Sequence, residues 1–483
     1  MLRLPNETGL VSYKGVRFLI TFGIFSFFLY SQGHFPSVSL KRGLFLPKSL
    51  RDNGDFTMMK EFRPVLWVCG CTAALAIFAT ATFLAPAKLK TTLGSRALSS
   101  IAVEKPHRHQ DLTRAEISQL LGDQHITSNH VKLDSFPIFK DGKSFNLHFT
   151  IDRDLQAKIE ETYQRYDPSY AAFVAMDPET GKILAMVDYT SEEQKGNLAL
   201  HATFPAASVF KMVTSTAALN DGKLQPNAIF PVNGRFGTLY KRNLSEVVNR
   251  WTRFITIEEA FAKSVNTVFG RIAMTRVGPD ALQKYANAFG FNQKIDFDMP
   301  IEMGQAMIPT NDDFALAESG SGYTVHQTLN PVQGAMLAAA VINGGHIPAP
   351  YIVDEVANQA GEKVYEAEVN ENLFHPMDKE TAKSLSMIME NTVTRGTAHR
   401  EFKDYNHNPI LSKLFIGGKT GSLTGFNPGG RYDWFVGFAQ SSADPKKKIA
   451  FASMVINRKF WKVKSYHIAR EAILQHFKAD KAL

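Results

Sequence analysis

Residues 204–219 read FPAASVFKMVTSTAAL: a proline, two alanines, Ser208, and then an apolar, helix-compatible run carrying Lys211. Ser208 and Lys211 stand three apart, so a helix that begins at the serine puts both side chains on one face. The first turn of such a helix leaves backbone N–H groups free and carries partial positive charge. That favours an alkoxide and the oxyanion that follows it. A serine hydroxyl needs a base within hydrogen-bond reach to attack at neutral pH. A lysine serves as that base only when neutral. Bringing it from about 10.4 to about 7 takes roughly 4–5 kcal/mol of desolvation and like-charge repulsion. The stretch therefore calls for burial around Lys211 and for a second cation close by.

Two elements further on answer that call. Ser264-Val265-Asn266 follows at a distance, and Lys419-Thr420-Gly421-Ser422 comes near the end. Ser208 is the one serine with a lysine three residues on, and Lys-Thr-Gly occurs once. On these motifs and their order the chain resembles the transpeptidase domain of penicillin-binding proteins, from about Leu147 to the C-terminus. Gly417-Gly418 before the Lys-Thr-Gly and Asp433-Trp434-Phe435-Val436-Gly437 after it are similar to the family's third and fourth strands. Ala206-Ala207 stands where a glycine is more usual, and Ser422 replaces a commoner threonine.

The resemblance implies an assignment of roles. Ser208 attacks the carbonyl of a penultimate D-alanine, Lys211 takes its proton, and Ser264 shuttles protons between the lysines and the leaving amine. Asn266 binds the substrate amide and holds Lys211. Lys419 is the second cation, Gly421 shapes the strand, and Thr420 and Ser422 donate hydroxyls to a C-terminal carboxylate. The N–H groups of Ser208 and Ser422 form the oxyanion hole. It implies no metal and no cofactor, and β-lactams as covalent ligands. The alternatives on the same scaffold are a D,D-carboxypeptidase, a β-lactamase, or a sensor or scaffold that binds without turnover. Glu246-Val247-Val248-Asn249 has the letters of a β-lactamase deacylation motif but precedes Ser264, so it reads as a solvated loop. Glu318-Ser319-Gly320-Ser321-Gly322 matches a family segment only loosely and receives no role.

Around the site, hydrophobic patterning gives an α+β fold. Strands are read at Ala171–Met176 and Lys182–Tyr189, then at Phe415–Leu423, Asp433–Ala439 and Ile449–Asn457. These form a five-stranded antiparallel sheet flanked by helices, with a helical lobe inserted between the second and third strands. Within the lobe, Asn220 to Arg253 reads as loop, Thr256 and Glu259 cap a helix, and Asn330-Pro331 starts another. Ala469–Phe477 closes the chain as a helix. Upstream, Thr113 and Glu116 form a capping box, and Phe145, Leu147, Phe149 and Ile151 alternate as a half-buried strand.

The chain has 483 residues and a formal net charge of +8, all of it in residues 1–100; the remainder is balanced, which excludes a nucleic-acid surface as the meaning of the total. Cys69 and Cys71 are the only cysteines, so no disulfide framework or catalytic thiol is available elsewhere. Pro64 to Ala87 is 24 residues without a charge, enough to cross a bilayer core as one helix. Residues 1–57 fit poorly with this. Phe18 to Tyr30 is apolar but short for a span, and Met58-Met59-Lys60 opens a signal-anchor pattern of its own. The expected organisation is a doubtful extension or mis-start over 1–57, with a re-entrant or second membrane segment as the competing reading, a cytoplasmic lead and transmembrane helix over 58–90, a linker and small segment over 91–144, and the penicillin-binding transpeptidase domain over 145–483. A single-pass inner-membrane protein with its catalytic part on the periplasmic side follows from the resemblance. The 60 to 80 residues between span and domain are too few for a glycosyltransferase module, so a partner polymerase is expected to supply the glycan.

Overall fold

A computed structural model describes residues 112–478, apart from 132, 134, 193–196 and 222. It also describes three short antiparallel strands, Thr8–Tyr13, Val16–Thr21 and Phe28–Tyr30. The latter belong to a separate unit, Met1–Glu104, and the rest to Lys105–Leu483. The expected start at Met58 or Met59 and the span Pro64 to Ala87 lie outside the described residues. Among the described residues no helix is long and apolar enough to cross a membrane.

The second unit is built on five antiparallel strands: β1 Tyr170–Met176, β2 Ile183–Thr190, β3 Leu414–Phe426, β4 Gly429–Ser441 and β5 Lys448–Asn457. Their spatial order is β3-β4-β5-β1-β2. The inner strands β1 and β5 run to nearly continuous apolar stretches because both faces of the sheet are covered there. On one face Phe173, Phe435 and Phe451 pack with Leu155 and Ile159 of helix Arg153–Tyr166 and Ile468 and Ile473 of helix Ser465–Lys478. On the other, Val174, Val436 and Met454 meet helix Pro331–Ile342. That helix is buried from Pro331 to Val341, as an all-round apolar helix must be. A Cβ on Gly334 would sit 2.7 Å from the Ala452 methyl, so small residues set how closely helix and sheet approach.

The residues between β2 and β3 form the lobe, as expected, with two additions. Phe230 and Val232 of Ile229–Val232 pair with Arg253–Thr256 inside the stretch read as loop. Val353–Asn358 leaves the lobe to join a second sheet, between Lys363–Glu366 and Lys143–Phe149, with Ser135–Lys140 at the edge. The helix opened by Thr113 has its capping box and buries Ile117 and Leu121. Strands β3 and β4 extend three to four residues past their sequence-read ends, and the final helix begins at Ser465 rather than Ala469.

Candidate active site

The nucleophile turn is held by a strand pair and by an indole. Phe204-Pro205 pairs with Thr328-Leu329, and the indole N–H of Trp434 on β4 donates to the Pro205 carbonyl at 2.9 Å. Ala207–Phe210 then makes one 3-10 turn, and helix Lys211–Asn220 continues from it. Ser208 therefore sits in the 3-10 turn, with Lys211 opening the α-helix. Ala207, where a glycine is more usual, adopts φ +50°, a left-handed backbone that carries a penalty for any residue with a Cβ.

Lys211 is fully buried. Its Nζ lies 2.8 Å from Ser208 Oγ, 2.7 Å from Asn266 Oδ1 and 2.6 Å from the carbonyl oxygen of Ser321. Burial holds its amine well below the ordinary lysine range, and the charge of Lys419 pushes the same way. A neutral amine has two N–H groups and one lone pair. The two carbonyl oxygens and the one hydroxyl around Nζ match that complement, so the geometry accommodates an amine that accepts the Ser208 proton. Asn266 is fixed in turn by its Nδ2, which donates to the Gly237 carbonyl at 3.0 Å.

Ser264 lies between helix Ile257–Ala262 and helix Asn266–Ile272, with φ +54°. A strained backbone at such a position fits a functional constraint on its hydroxyl. Thr256 caps the helix that delivers it, accepting from the Glu259 N–H. Lys419, fully buried on β3, donates to Ser264 Oγ and to the Thr420 carbonyl, each at 2.9 Å, and lies over the Phe261 ring. Burial pushes its pKa down to about 7. Among the described residues Lys419 is the side-chain partner of Ser264; the expected link from Ser264 to Lys211 is not made.

Strand β3 is at the edge of the sheet and runs past the nucleophile turn. Gly421 allows this approach: a Cβ there would lie 3.1 Å from the Val209 side chain and 3.3 Å from the Ala206 carbonyl. A groove of about 340 Å³ crosses Ser208, Ser264, Asn266, Thr420 and Ser422. Thr420 Oγ1 is 2.6 Å from Thr397 Oγ1, a residue the sequence did not single out. Ser422, expected to offer its hydroxyl to a substrate carboxylate, instead donates it to Asp433 Oδ1 across the β3–β4 ladder, at 3.1 Å. Asp433 Oδ2 accepts the Ser465 N–H and hydroxyl at 3.0 and 3.2 Å, at the start of the last helix. Burial raises the Asp433 carboxyl above the usual carboxylate range, against the nearby Lys464 ammonium.

The Glu318–Gly322 segment, given no role from sequence, forms the wall behind the nucleophile. Besides the Ser321 carbonyl on Lys211, Gly320 accepts the Thr214 hydroxyl at 2.7 Å. Gly322 is at φ +66°, and a Cβ there would come within 1.9 Å of the Ala207 carbonyl oxygen. Glu246, by contrast, is an exposed side chain, consistent with the solvated loop expected of it.

The family model for the penicillin-binding protein transpeptidase domain matches residues 171–475. The chain belongs to this family. It is 26% identical over 340 residues to Stage V sporulation protein D of Bacillus subtilis, covering 65% of this chain and 50% of that protein. It is 28% identical over 255 residues to the peptidoglycan D,D-transpeptidase PbpA of Mycobacterium tuberculosis, covering 46% of this chain and 51% of that one. The chain thus spans about half the length of the curated relatives it matches. Among solved structures, penicillin-binding protein A of M. tuberculosis in its imipenem acyl-enzyme complex superposes with a TM-score of 0.57 at 24% identity, over 70% of this chain and 81% of that one. The D,D-transpeptidase domain of a peptidoglycan glycosyltransferase from Eggerthella lenta gives 0.56 at 24% identity, over 70% and 84%. At that identity the likeness speaks for the fold, an α+β transpeptidase scaffold with the antiparallel sheet described above.

Proposed function

We propose that this penicillin-binding protein is a serine D,D-transpeptidase that cross-links peptidoglycan stem peptides through an acyl-enzyme on Ser208. The observation that carries this reading is the fully buried Lys211 Nζ, 2.8 Å from Ser208 Oγ and within 2.7 Å of two carbonyl acceptors. Lys211 takes the Ser208 proton as Oγ bonds to the carbonyl carbon of the penultimate D-alanine. Negative charge then develops on the carbonyl oxygen. The backbone N–H groups of Ser208 and Ser422 are assigned to receive it, each worth about 3 kcal/mol. The C–N bond breaks, and the departing terminal D-alanine takes the proton that Lys211 received; a relay through Ser264 requires its hydroxyl, here held by Lys419, to turn toward Lys211. An amine of a second stem peptide attacks the ester carbonyl, gives up a proton along the same path, and restores the Ser208 hydroxyl.

Asn266 positions both Lys211 and, through its remaining N–H, the substrate amide. Lys419 holds Ser264, and its charge adds to the burial that keeps Lys211 neutral. Thr420 faces the substrate's terminal carboxylate. A β-lactamase of the class that deacylates with a carboxylate would need that carboxylate free to activate water. Asp433, the one acid among the described residues lining the groove, has both oxygens engaged by Ser422 and Ser465. The apolar run Pro64–Ala87 is assigned as a single-pass anchor, with the catalytic unit on the extracytoplasmic side and a glycan polymerase as partner.

Product analysis with polymerised, lipid-linked peptidoglycan precursor tests the reading. Cross-linked dimers and a stable penicillin adduct on Ser208, absent from Ser208→Ala, are expected. Trimmed monomers alone would make the protein a carboxypeptidase, rapid penicillin turnover a β-lactamase, and an unlabelled wild type a binding scaffold. For the anchor, the full chain is expected in the membrane pellet and residues 105–483 in the supernatant.

A further inference from the structure

A serine hydroxyl has one proton to give and two lone pairs with which to accept. In this protein the Ser422 proton is directed onto Asp433 Oδ1, 3.1 Å away, so the side chain turns lone pairs toward the groove. The arrangement is built into the sheet. Ser422 and Asp433 are directly opposed across β3 and β4, and Asp433 is 3% exposed. Asp433 Oδ2 is held by the backbone N–H and hydroxyl of Ser465. That leaves Oδ1 for Ser422, with Lys464 Nζ 3.8 Å away. Lys464 itself lies 3.1 Å from the centre of the Trp461 ring, which fixes its ammonium at this end of the groove.

We infer that Asp433 is a positioning residue that makes Ser422 an acceptor, so that this end of the groove reads an N–H of the substrate rather than its carboxylate. Recognition of a terminal carboxylate then falls to Thr420, whose hydroxyl shares a 2.6 Å contact with Thr397. The inference rests on the acyl-enzyme reading above and deepens it: it states which hydrogen-bonding group of the acyl donor lies beside Ser422. Asparagine at 433 would invert the polarity. Its carbonyl can keep the Ser465 N–H while its NH₂ donates to Ser422 Oγ. The Ser422 proton is then released toward the groove, where a carboxylate can take it.

The test compares penicillin G with its methyl ester, which differ in charge and acceptor strength at the carboxyl group alone. Second-order acylation rates are measured for the full chain and its variants. Asp433→Asn is expected to raise the acid-to-ester preference about 10-fold, the scale of one hydrogen bond to a charged group. Ser422→Ala is expected to slow both labels by the same factor and leave the preference within 2-fold of wild type. In the double variant the gain from Asp433→Asn should vanish. A gain that survives without Ser422 would mean that simple removal of a charge is responsible, and it overturns the inference. So does an unchanged preference in Asp433→Asn, or a 10-fold fall in preference for Ser422→Ala. A wild type that neither label acylates overturns the acyl-enzyme reading, and this inference with it.

Discussion

Lys211 and Ser321 meet through a backbone atom: the buried Nζ lies 2.6 Å from the Ser321 carbonyl oxygen and 2.8 Å from Ser208 Oγ. This contact, with that to Asn266, orients the two N–H groups of a neutral amine and leaves its lone pair for the nucleophile. Lys211→Arg keeps a cation in the pocket but cannot accept a proton at neutral pH. General-base help is worth roughly 100- to 10,000-fold. Acylation by penicillin is expected to fall by about that factor while the circular dichroism spectrum is retained. A variant reacting within tenfold of wild type would remove Lys211 from the role of base.

The backbone behind the nucleophile gives a second prediction. A Cβ on Gly322 would lie 1.9 Å from the Ala207 carbonyl oxygen, and Ala207 is itself at φ +50°. Gly322→Ala must push the turn that carries Ser208 away from the wall. A displacement of the reacting group by about 1 Å can cost about 100-fold in rate. Gly322→Ala is therefore expected to lose about that much acylation and about 1–3 kcal/mol of stability from backbone strain, read by penicillin labelling and thermal melting. Ala207→Gly, which the left-handed φ tolerates, should leave labelling intact. Wild-type labelling by Gly322→Ala would show that the turn is not set by this contact.

Asp188 on β2 gives a pH-dependent prediction away from the groove. Its oxygens accept the Ser128 hydroxyl at 2.7 Å and the Ala199 N–H at 2.8 Å, and burial pushes its pKa up to about 7. The folded state therefore binds the proton more tightly than the unfolded chain between about 4 and 7. Stability falls as pH rises through that window, and the penalty persists above it. Three pKa units would amount to about 4 kcal/mol. The residue is only partly buried, beside a cleft of about 120 Å³, so water reduces this to about 1–2 kcal/mol. Asp188→Asn is expected to melt higher than wild type at pH 8 and equally at pH 4.5. Equal melting at both pH values would place the carboxyl in its ordinary range.

The sequence carried the parts of the site that are side chains in fixed spacing. Ser208 and Lys211 are a local pair, and Lys419-Thr420-Gly421 sits in a strand whose apolar neighbours announce it. What it did not carry are contributions with no side-chain signature. The Ser321 carbonyl acts through the main chain, and Gly322 acts by lacking a Cβ. Thr397 reaches Thr420 only because the chain after helix Lys379–Thr394 turns back to β3. The Asp433 carboxylate was hidden inside Asp433-Trp434-Phe435-Val436-Gly437, where the strand pattern accounts for the residues without a partner for the acid. In the fold, the sheet strands and the cap at Thr256 were legible because period and capping are local. The pairing of Val353–Asn358 with Lys143–Phe149 was not, since the partners lie some two hundred residues apart and Asp354, Glu355 and Asn358 weaken the strand pattern.

Lys419 provides the last prediction. It is fully buried, its pKa is pushed down to about 7 by that burial, and its charge in turn depresses Lys211. The unfolded chain holds this proton up to about 10.4, so between about 7 and 10 it binds more protons than the folded state. Stability from this group therefore rises with pH through that window, and the burial penalty is complete below it. Lys419→Met removes the penalty but leaves the Thr420 carbonyl without its donor, at about 1–3 kcal/mol. The net expectation is a variant more stable than wild type by about 2 kcal/mol at pH 6, with the advantage gone by pH 9.5. Acylation should fall by about 100-fold or more, because Ser264 loses its partner. The pH profile of the residual reaction should then report Lys211 alone. With the Lys419 charge gone, the Lys211 amine holds its proton more tightly, and the rising limb of the profile moves to higher pH. Melting curves and labelling rates from pH 6 to 9.5 measure both effects. A residual profile unmoved from wild type would mean that the two lysines do not sense each other's charge, and the neutrality of Lys211 would then rest on burial alone.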